Sequence, residues 1–412
     1  VKTDSRTFTT AALSCALLLL TACGTRRDGG GASPTTDAGS AATSDARGGF
    51  RVETVVGNLE VPWSIVFAPD GRMLFTERTG RVRVYENGRL RPEPLAVIPD
   101  VERGSESGLM GLTLHPDFAR NRLLYLAYAY GAGGDVRVRV VCFRETGAGL
   151  SDHRLIIEGI PAARFHAGTR LRFGPDGKLY VTTGDAAEKG LGQRLDTLAG
   201  KTLRLNDDGT VPDDNPFARE PGARPEIWTY GHRNSQGLDF QPGTGLMFQT
   251  EHGPSGFDGP GGGDEVNVVE RGRNYGWAAI HHRESRRGME SPLIEYTPAC
   301  APASGAFYRG SALAQYRGNF FFGCLRGEGL QRVVLDGRVV KSEERLLRGE
   351  YGRIRDVAEG PDGALYFSTS NRDGRGSPAA DDDRIMRLVP ARDSQSVPTE
   401  ASEGGGVTLK SH

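Results

Sequence analysis

The residues best suited to chemistry are one histidine beside a glycine, a polar run around an arginine and asparagine, and a pair of arginines spaced two apart. His166 lies in Arg164-Phe-His-Ala-Gly-Thr-Arg-Leu-Arg-Phe173, at the entrance to an apolar strand. A neutral imidazole there can take the proton of a hydroxyl while hydride leaves the same carbon. Asp185, closing Tyr180-Val-Thr-Thr-Gly-Asp185, comes one hairpin later and can orient that ring. The plainer reading of His166 alone is a satisfied structural histidine.

In Gly231-His-Arg-Asn-Ser-Gln-Gly237, Arg233 and Asn234 can together present donors to a carbonyl or carboxylate. Such a loop can equally cap its own turns. Gly352-Arg-Ile-Arg-Asp-Val357 puts Arg353 and Arg355 on one face of a strand. Two adjacent guanidinium groups repel unless an anion lies between them, and the arginine fork suits carboxylates. Arg326, in Gly323-Cys-Leu-Arg-Gly-Glu328, can add a third positive charge. Pairing with Asp356, Glu350 or Glu328 on a solvated face would be the bland alternative; together the arginines predict a small polyanion. Thr250-Glu-His-Gly-Pro254, a glycine-rich loop and Asp264-Glu-Val-Asn267 offer hard oxygen ligands of the kind Ca²⁺ takes, without the spacing of an EF-hand. The tandem His281-His282 reads as exposed loop.

These groups need a frame, and a repeated phrase supplies one. It reads Phe67-Ala-Pro-Asp-Gly-Arg-Met-Leu-Phe-Thr76, then Phe173-Gly-Pro-Asp-Gly-Lys-Leu-Tyr-Val-Thr182, then Glu359-Gly-Pro-Asp-Gly-Ala-Leu-Tyr-Phe-Ser368. Looser copies begin at Leu114, Phe240 and Tyr316. Each describes an apolar strand, a tight turn and a second apolar strand. The copies stand roughly 45 to 75 residues apart, which suits one four-stranded blade per repeat. The predicted fold is therefore all-β: a six-bladed β-propeller with four-stranded antiparallel blades over residues 49–390. Phe50 to Val56 and Arg384 to Val389 are expected to share the closing blade. A β-sandwich would not account for the recurring turn.

The remaining features bound the setting. Of 412 residues, 58 are glycine, and 51 Lys+Arg nearly balance 52 Asp+Glu, so no basic footprint for nucleic acid exists. Lys2, Arg6, an apolar run from Ala11 to Leu20 and the sequence Leu20-Thr-Ala-Cys23 resemble a bacterial lipoprotein signal. Residues 1–22 are thus expected to be removed, Cys23 to carry lipid, and 23–48 to be a flexible tether. The lipid would be the only membrane contact, holding an exported protein on the cell envelope, at its periplasmic or extracellular face. Residues 391–412 read as a loose tail. Cys142, Cys300 and Cys324 then remain, as either one Cys300–Cys324 disulfide or three buried thiols.

The motifs above, with Val61-Pro-Trp-Ser64, Glu106-Ser-Gly-Leu-Met-Gly-Leu-Thr-Leu-His-Pro-Asp-Phe118 and Asn274-Tyr-Gly-Trp277, resemble the glucose/sorbosone dehydrogenase family that depends on pyrroloquinoline quinone (PQQ), in its soluble aldose sugar dehydrogenase form. The resemblance runs from about Leu59 to Leu388. It implies PQQ and Ca²⁺ as cofactors, a sugar substrate, a further electron acceptor of unknown identity, and lactone products. It makes His166 the base, Asp185 its orienting acid, and Arg233 and Asn234 the quinone contacts. Glu106, Arg326, Arg353 and Arg355 join the cofactor-binding set. Gly253 and Pro254 match the carbonyls of the catalytic Ca²⁺, and Glu265 and Tyr275 a second, structural Ca²⁺ site. Two positions depart: Glu106 replaces a glutamine and Phe165 an acid of the best-known glucose-oxidising members, both at the substrate end. The competing functions are a non-catalytic cell-surface propeller that binds a ligand, and a Ca²⁺-dependent propeller lactonase.

Overall fold

The computed structural model describes residues 49–391. The expected signal segment, the lipid site at Cys23, the tether and the tail after residue 391 lie outside them. Among the described residues, no helix is long and apolar enough to cross a membrane.

Six antiparallel sheets follow one another along the chain. The innermost strands are Pro62–Phe67, Leu109–Leu114, Leu171–Phe173, Ser235–Phe240, Pro302–Phe307 and Ile354–Glu359. Each packs on the next, and the sixth packs on the first, so they form a closed ring. Five blades have four strands in simple up-and-down order, and the first carries an extra short pairing of Ala96–Val97. The last blade is closed by the front of the chain: Phe50–Val56 runs antiparallel to Ile385–Pro390, with Glu53 directly opposite Arg387. That pair is joined at 2.8 Å.

The repeated phrase folds the same way each time. In its three clear copies, the N–H and C=O of Ala68/Arg72, Gly174/Lys178 and Gly360/Ala364 close the hairpin, and Gly71, Gly177 and Gly363 take φ of 88°, 72° and 74°. Glycine fits there because L side chains disfavour that region. The aspartate of each turn accepts the N–H two residues on, at 3.3, 3.1 and 3.1 Å. All three turns sit at the C-terminal ends of inner strands, which commits the opposite end of the ring to the strand entrances.

Packing explains why the blades stay together. Six buried apolar clusters form, one at each junction between neighbouring blades; Tyr308, Phe321, Phe367 and Leu388 illustrate the fifth junction. Each such side chain contributes about 1.5–3 kcal/mol when fully buried. Towards the axis the strands crowd, and side chains give way. A Cβ on Gly237 would stand 2.7 Å from the Ala303 carbonyl, and one on Gly111 2.8 Å from that of Thr169.

The axis itself is plugged. Arg170, buried, reaches across to Asp356 at 3.1 Å, donates to Ser64 Oγ at 2.9 Å and lies over the Trp63 ring. Asp356 also accepts the Ile65 N–H. Asp356 is therefore spent on Arg170, and is not the partner of Arg353 and Arg355 that the sequence allowed. Cys142, Cys300 and Cys324 are all buried free thiols, which decides between the two alternatives for them.

Candidate active site

On the strand-entrance side of the plug lies a cavity of about 480 Å³. Its wall includes Glu106, Phe165, His166, Arg233, Gly253, Pro254, Arg326 and Arg353. These residues come from loops that precede inner strands or join strands within a blade, so the ring geometry gathers groups far apart in sequence.

His166 sits at φ 57°, a conformation that is uncommon for a non-glycine residue and is found at functional sites. Its Nδ1 lies 2.7 Å from Asp185 Oδ1. Asp185 also takes the Ala187 N–H at 2.9 Å on the same oxygen and Trp277 Nε1 at 2.8 Å on the other. A carboxylate only accepts, so Nδ1 is the donor of this pair, and in the neutral imidazole Nε2 keeps the lone pair. Behind it, the Asp185 N–H donates to the Arg233 carbonyl at 2.7 Å.

Glu106 ties several members together. It accepts the His166 N–H at 3.1 Å and Asn234 Nδ2 at 3.3 Å on one oxygen, and binds Arg375 at 2.5 Å with the other. Burial alone would raise its carboxyl, but His252, Arg375 and His166 hold it down at about 2. His252 is itself lowered by burial to about 3, so near neutral pH Arg375 gives the lasting support. Asn234 is fully buried, with its Oδ1 receiving Gly168 N–H and Gln236 Nε2.

The arginines converge, each with a carboxylate or a carbonyl at hand except one. Arg353 donates twice to Asp373 Oδ2, at 2.9 and 2.8 Å, and to the Leu325 carbonyl at 3.0 Å. Arg355 is 3.5 Å from the same Asp373 oxygen. The anion between the two guanidinium groups is thus Asp373, not Asp356, Glu350 or Glu328. Burial pushes Arg355 down to about 10, with Arg353 and Arg78 adding to the effect and Asp373 opposing it. Arg233 is buried against the Trp277 ring and bonded to Asp258, Ser255 Oγ and the His252 carbonyl. Arg326 is exposed on the cavity wall; its backbone N–H donates to the Cys300 carbonyl at 2.9 Å, while its guanidinium has no hydrogen bond or ion pair among the described residues.

Gly253 donates its N–H to the buried Asp264 carboxylate at 2.8 Å, and the Pro254 carbonyl accepts Gly262 N–H at 3.3 Å. Glu265 stands between Glu251 and Glu295 in the register of its sheet. Burial, with the Glu251 carboxylate beside it, raises its carboxyl well above the usual range. Asn267, which donates to Glu265, keeps a buried Oδ1 without a partner. Tyr275 is brought elsewhere, with its hydroxyl donating to the Val268 carbonyl at 2.6 Å and its ring stacked on His232. Among the described residues, no group of three or more His, Cys, Asp or Glu is arranged to hold a metal ion.

Four contributors escaped sequence reasoning: Phe257, Asp258, Asp373 and Arg375. All sit in glycine-rich loops that read as turns, and only the fold brings them in; His252 stood in the Thr250–Pro254 motif without a role of its own. The aromatic at the end of Asn274-Tyr-Gly-Trp277 was visible as a motif member, but its bond to Asp185 was not.

Comparison with known proteins gives a consistent result. Residues 59–386 match the family described as glucose / sorbosone dehydrogenase. The aldose sugar dehydrogenase YliI of Escherichia coli (strain K12) is 35% identical over 342 residues, covering 78% of this chain and 91% of that protein. An oxidoreductase (glucose dehydrogenase) of Thermus thermophilus superposes with a TM-score of 0.77 at 45% identity, covering 83% of this chain and 100% of that one. The PQQ-bound form of aldose sugar dehydrogenase from Streptomyces coelicolor superposes with a TM-score of 0.72 at 32% identity, covering 83% and 98%.

Proposed function

This chain belongs to the glucose/sorbosone dehydrogenase family, and from that premise we propose that it oxidises aldose sugars at the anomeric carbon to lactones, using PQQ and Ca²⁺. The observation that carries the reading is His166, bonded to Asp185 at 2.7 Å, in the wall of a cavity that Arg326 and Arg353 share.

The donor set fits both cofactors. An anionic planar ligand would meet Arg326, whose guanidinium lacks an internal partner, beside Arg353 and a buried His252 Nε2 that has no hydrogen bond. The backbone of Gly253 and Pro254 borders the same cavity beside Asp264, an oxygen-rich margin suited to a hard cation. Arg233 and Asn234 would contact the quinone, and Arg326, Arg353 and Arg355 the carboxylates. When bound, PQQ with Ca²⁺ supplies an electrophile that accepts hydride.

The protein's own residues do the rest. His166 Nε2 takes the proton of the anomeric hydroxyl as the C–H bond yields its hydride. Asp185 fixes the ring and favours the imidazolium that results. Arg233 stabilises negative charge that develops in the cavity. Electrons then pass to a further acceptor, and the lipid on Cys23 keeps the enzyme at the cell envelope.

The test is direct: load the protein with PQQ and Ca²⁺ and follow reduction of an artificial dye across a panel of aldoses. Cofactor binding without dye reduction for any sugar would favour the ligand-binding propeller. A lactonase would instead open lactones without PQQ.

A further inference from the structure

We infer that Phe257 and Phe165 form an aromatic slot that receives the apolar face of a pyranose ring above His166, and that Asp258 latches this slot to Arg233. The inference deepens the sugar oxidation proposed above and rests on it.

Phe257 is 68% exposed, and no other aromatic side chain in the described residues is both large and so open. Phenylalanine carries no hydrogen-bonding tip, and this one lines the cavity, so the surface it offers there suits an apolar group. Its ring lies 6.4 Å from the His166 imidazole with only 24° between planes. Phe165 stands edge-on to both, 5.0 Å from His166 and 6.1 Å from Phe257. A group approaching His166 from solvent therefore passes two aromatic rings set nearly at right angles. A hexopyranose offers matching chemistry, with C–H groups on its faces and hydroxyls around its rim. The faces would meet the phenyl rings while the rim keeps its polar contacts with Glu106 and His166.

The loop is held, not merely draped. Asp258 Oδ2 receives Arg233 Nε at 2.8 Å and lies 2.7 Å from its second nitrogen, while Oδ1 takes the Ser255 N–H at 2.9 Å. Phe257 is the residue immediately before this anchor. Gly256 precedes it at φ 89°, so a turn and an ion pair bracket the ring. Arg233 thereby links the slot to the interior: the guanidinium that faces the cofactor space also fixes the side chain that meets the sugar. Asp258 is in this sense a positioning residue.

The probe is 1,5-anhydroglucitol, a pyranose that lacks the anomeric hydroxyl and cannot be oxidised there. It is titrated calorimetrically into the PQQ- and Ca²⁺-loaded full chain. Wild type should bind saturably, Phe257→Ala should weaken binding about fivefold or more, and Phe257→Tyr should restore it to within about twofold. Asp258→Asn should weaken binding with Phe257 intact. Because Phe257 is exposed, its variants should melt with wild type. Wild type that fails to bind the probe, or Phe257→Ala that binds as wild type does, overturns the slot. Phe257-dependent binding without dye reduction by any aldose would uphold the slot and sink the oxidation. Dye reduction by wild type with an unchanged KM in Phe257→Ala would do the reverse.

Discussion

Trp277 and Asp185, 92 residues apart in sequence, are joined by a 2.8 Å hydrogen bond from the indole nitrogen to the carboxylate oxygen that His166 does not use. The indole thereby sets the plane of the carboxylate, and the carboxylate sets the tautomer of the imidazole. His166→Ala should keep PQQ affinity but lose turnover, and Asp185→Asn should lower kcat by about 10²–10⁴. Trp277→Phe should lower kcat by less, with KM little changed. Stopped-flow dye reduction on loaded protein measures all three; a fully active His166→Ala would contradict the assigned base.

The arginines should separate by their partners. Arg326→Ala should weaken PQQ binding about tenfold while leaving the melting temperature alone, because it breaks no internal pair. Replacing Arg353 and Arg355 together should weaken PQQ further and also lower the melting temperature, since Asp373 would be left buried and unpaired. Equilibrium titration with PQQ beside thermal melts reads both effects. Unchanged affinity in the double variant would refute the role given to these cations.

Glu106 predicts a pH signature. Its carboxyl is held below the ordinary 4.5, at about 2, so its favourable contribution is complete above roughly pH 4.5 and is lost as pH falls toward 2. Glu106→Gln should remove that slope: the gap in melting temperature between wild type and variant should be widest near neutrality and shrink below pH 4.5. Melts at stepped pH test this, and a gap that grows on acidification would have the wrong sign.

Ring closure is the remaining prediction. Phe50, on the strand that closes the last blade, is buried against Tyr316 of the neighbouring blade with ring centroids 6.2 Å apart. Phe50→Ala should cost about 3–5 kcal/mol of stability in urea unfolding. Glu53→Ala, which removes partly exposed ion pairs with Arg51 and Arg387, should cost no more than about 1 kcal/mol.

Sequence reading reached the frame because the frame is local. A Pro-Asp-Gly turn declares itself within five residues, and its repetition counts the blades. It reached His166, Asp185, Arg353 and Arg355 because each stands beside a strand whose register can be read. Asp373, Arg375 and Asp258 lie in Asn371-Arg-Asp-Gly-Arg375 and in the loop after Pro254, segments whose glycines say only that the chain bends. Their partners come from other blades or from loops that the fold brings close, so no spacing along the chain could assign them. The anion expected beside Arg353 and Arg355 is in part the protein's own Asp373, and Asp356, one of the acids of the bland alternative, faces the axis instead.

The bond between Arg170 and Asp356 has a consequence for access. That pair stands between the chamber and the turn side of the ring. On the proposed function, the sugar and the species that collects its electrons would both be received from the strand-entrance side.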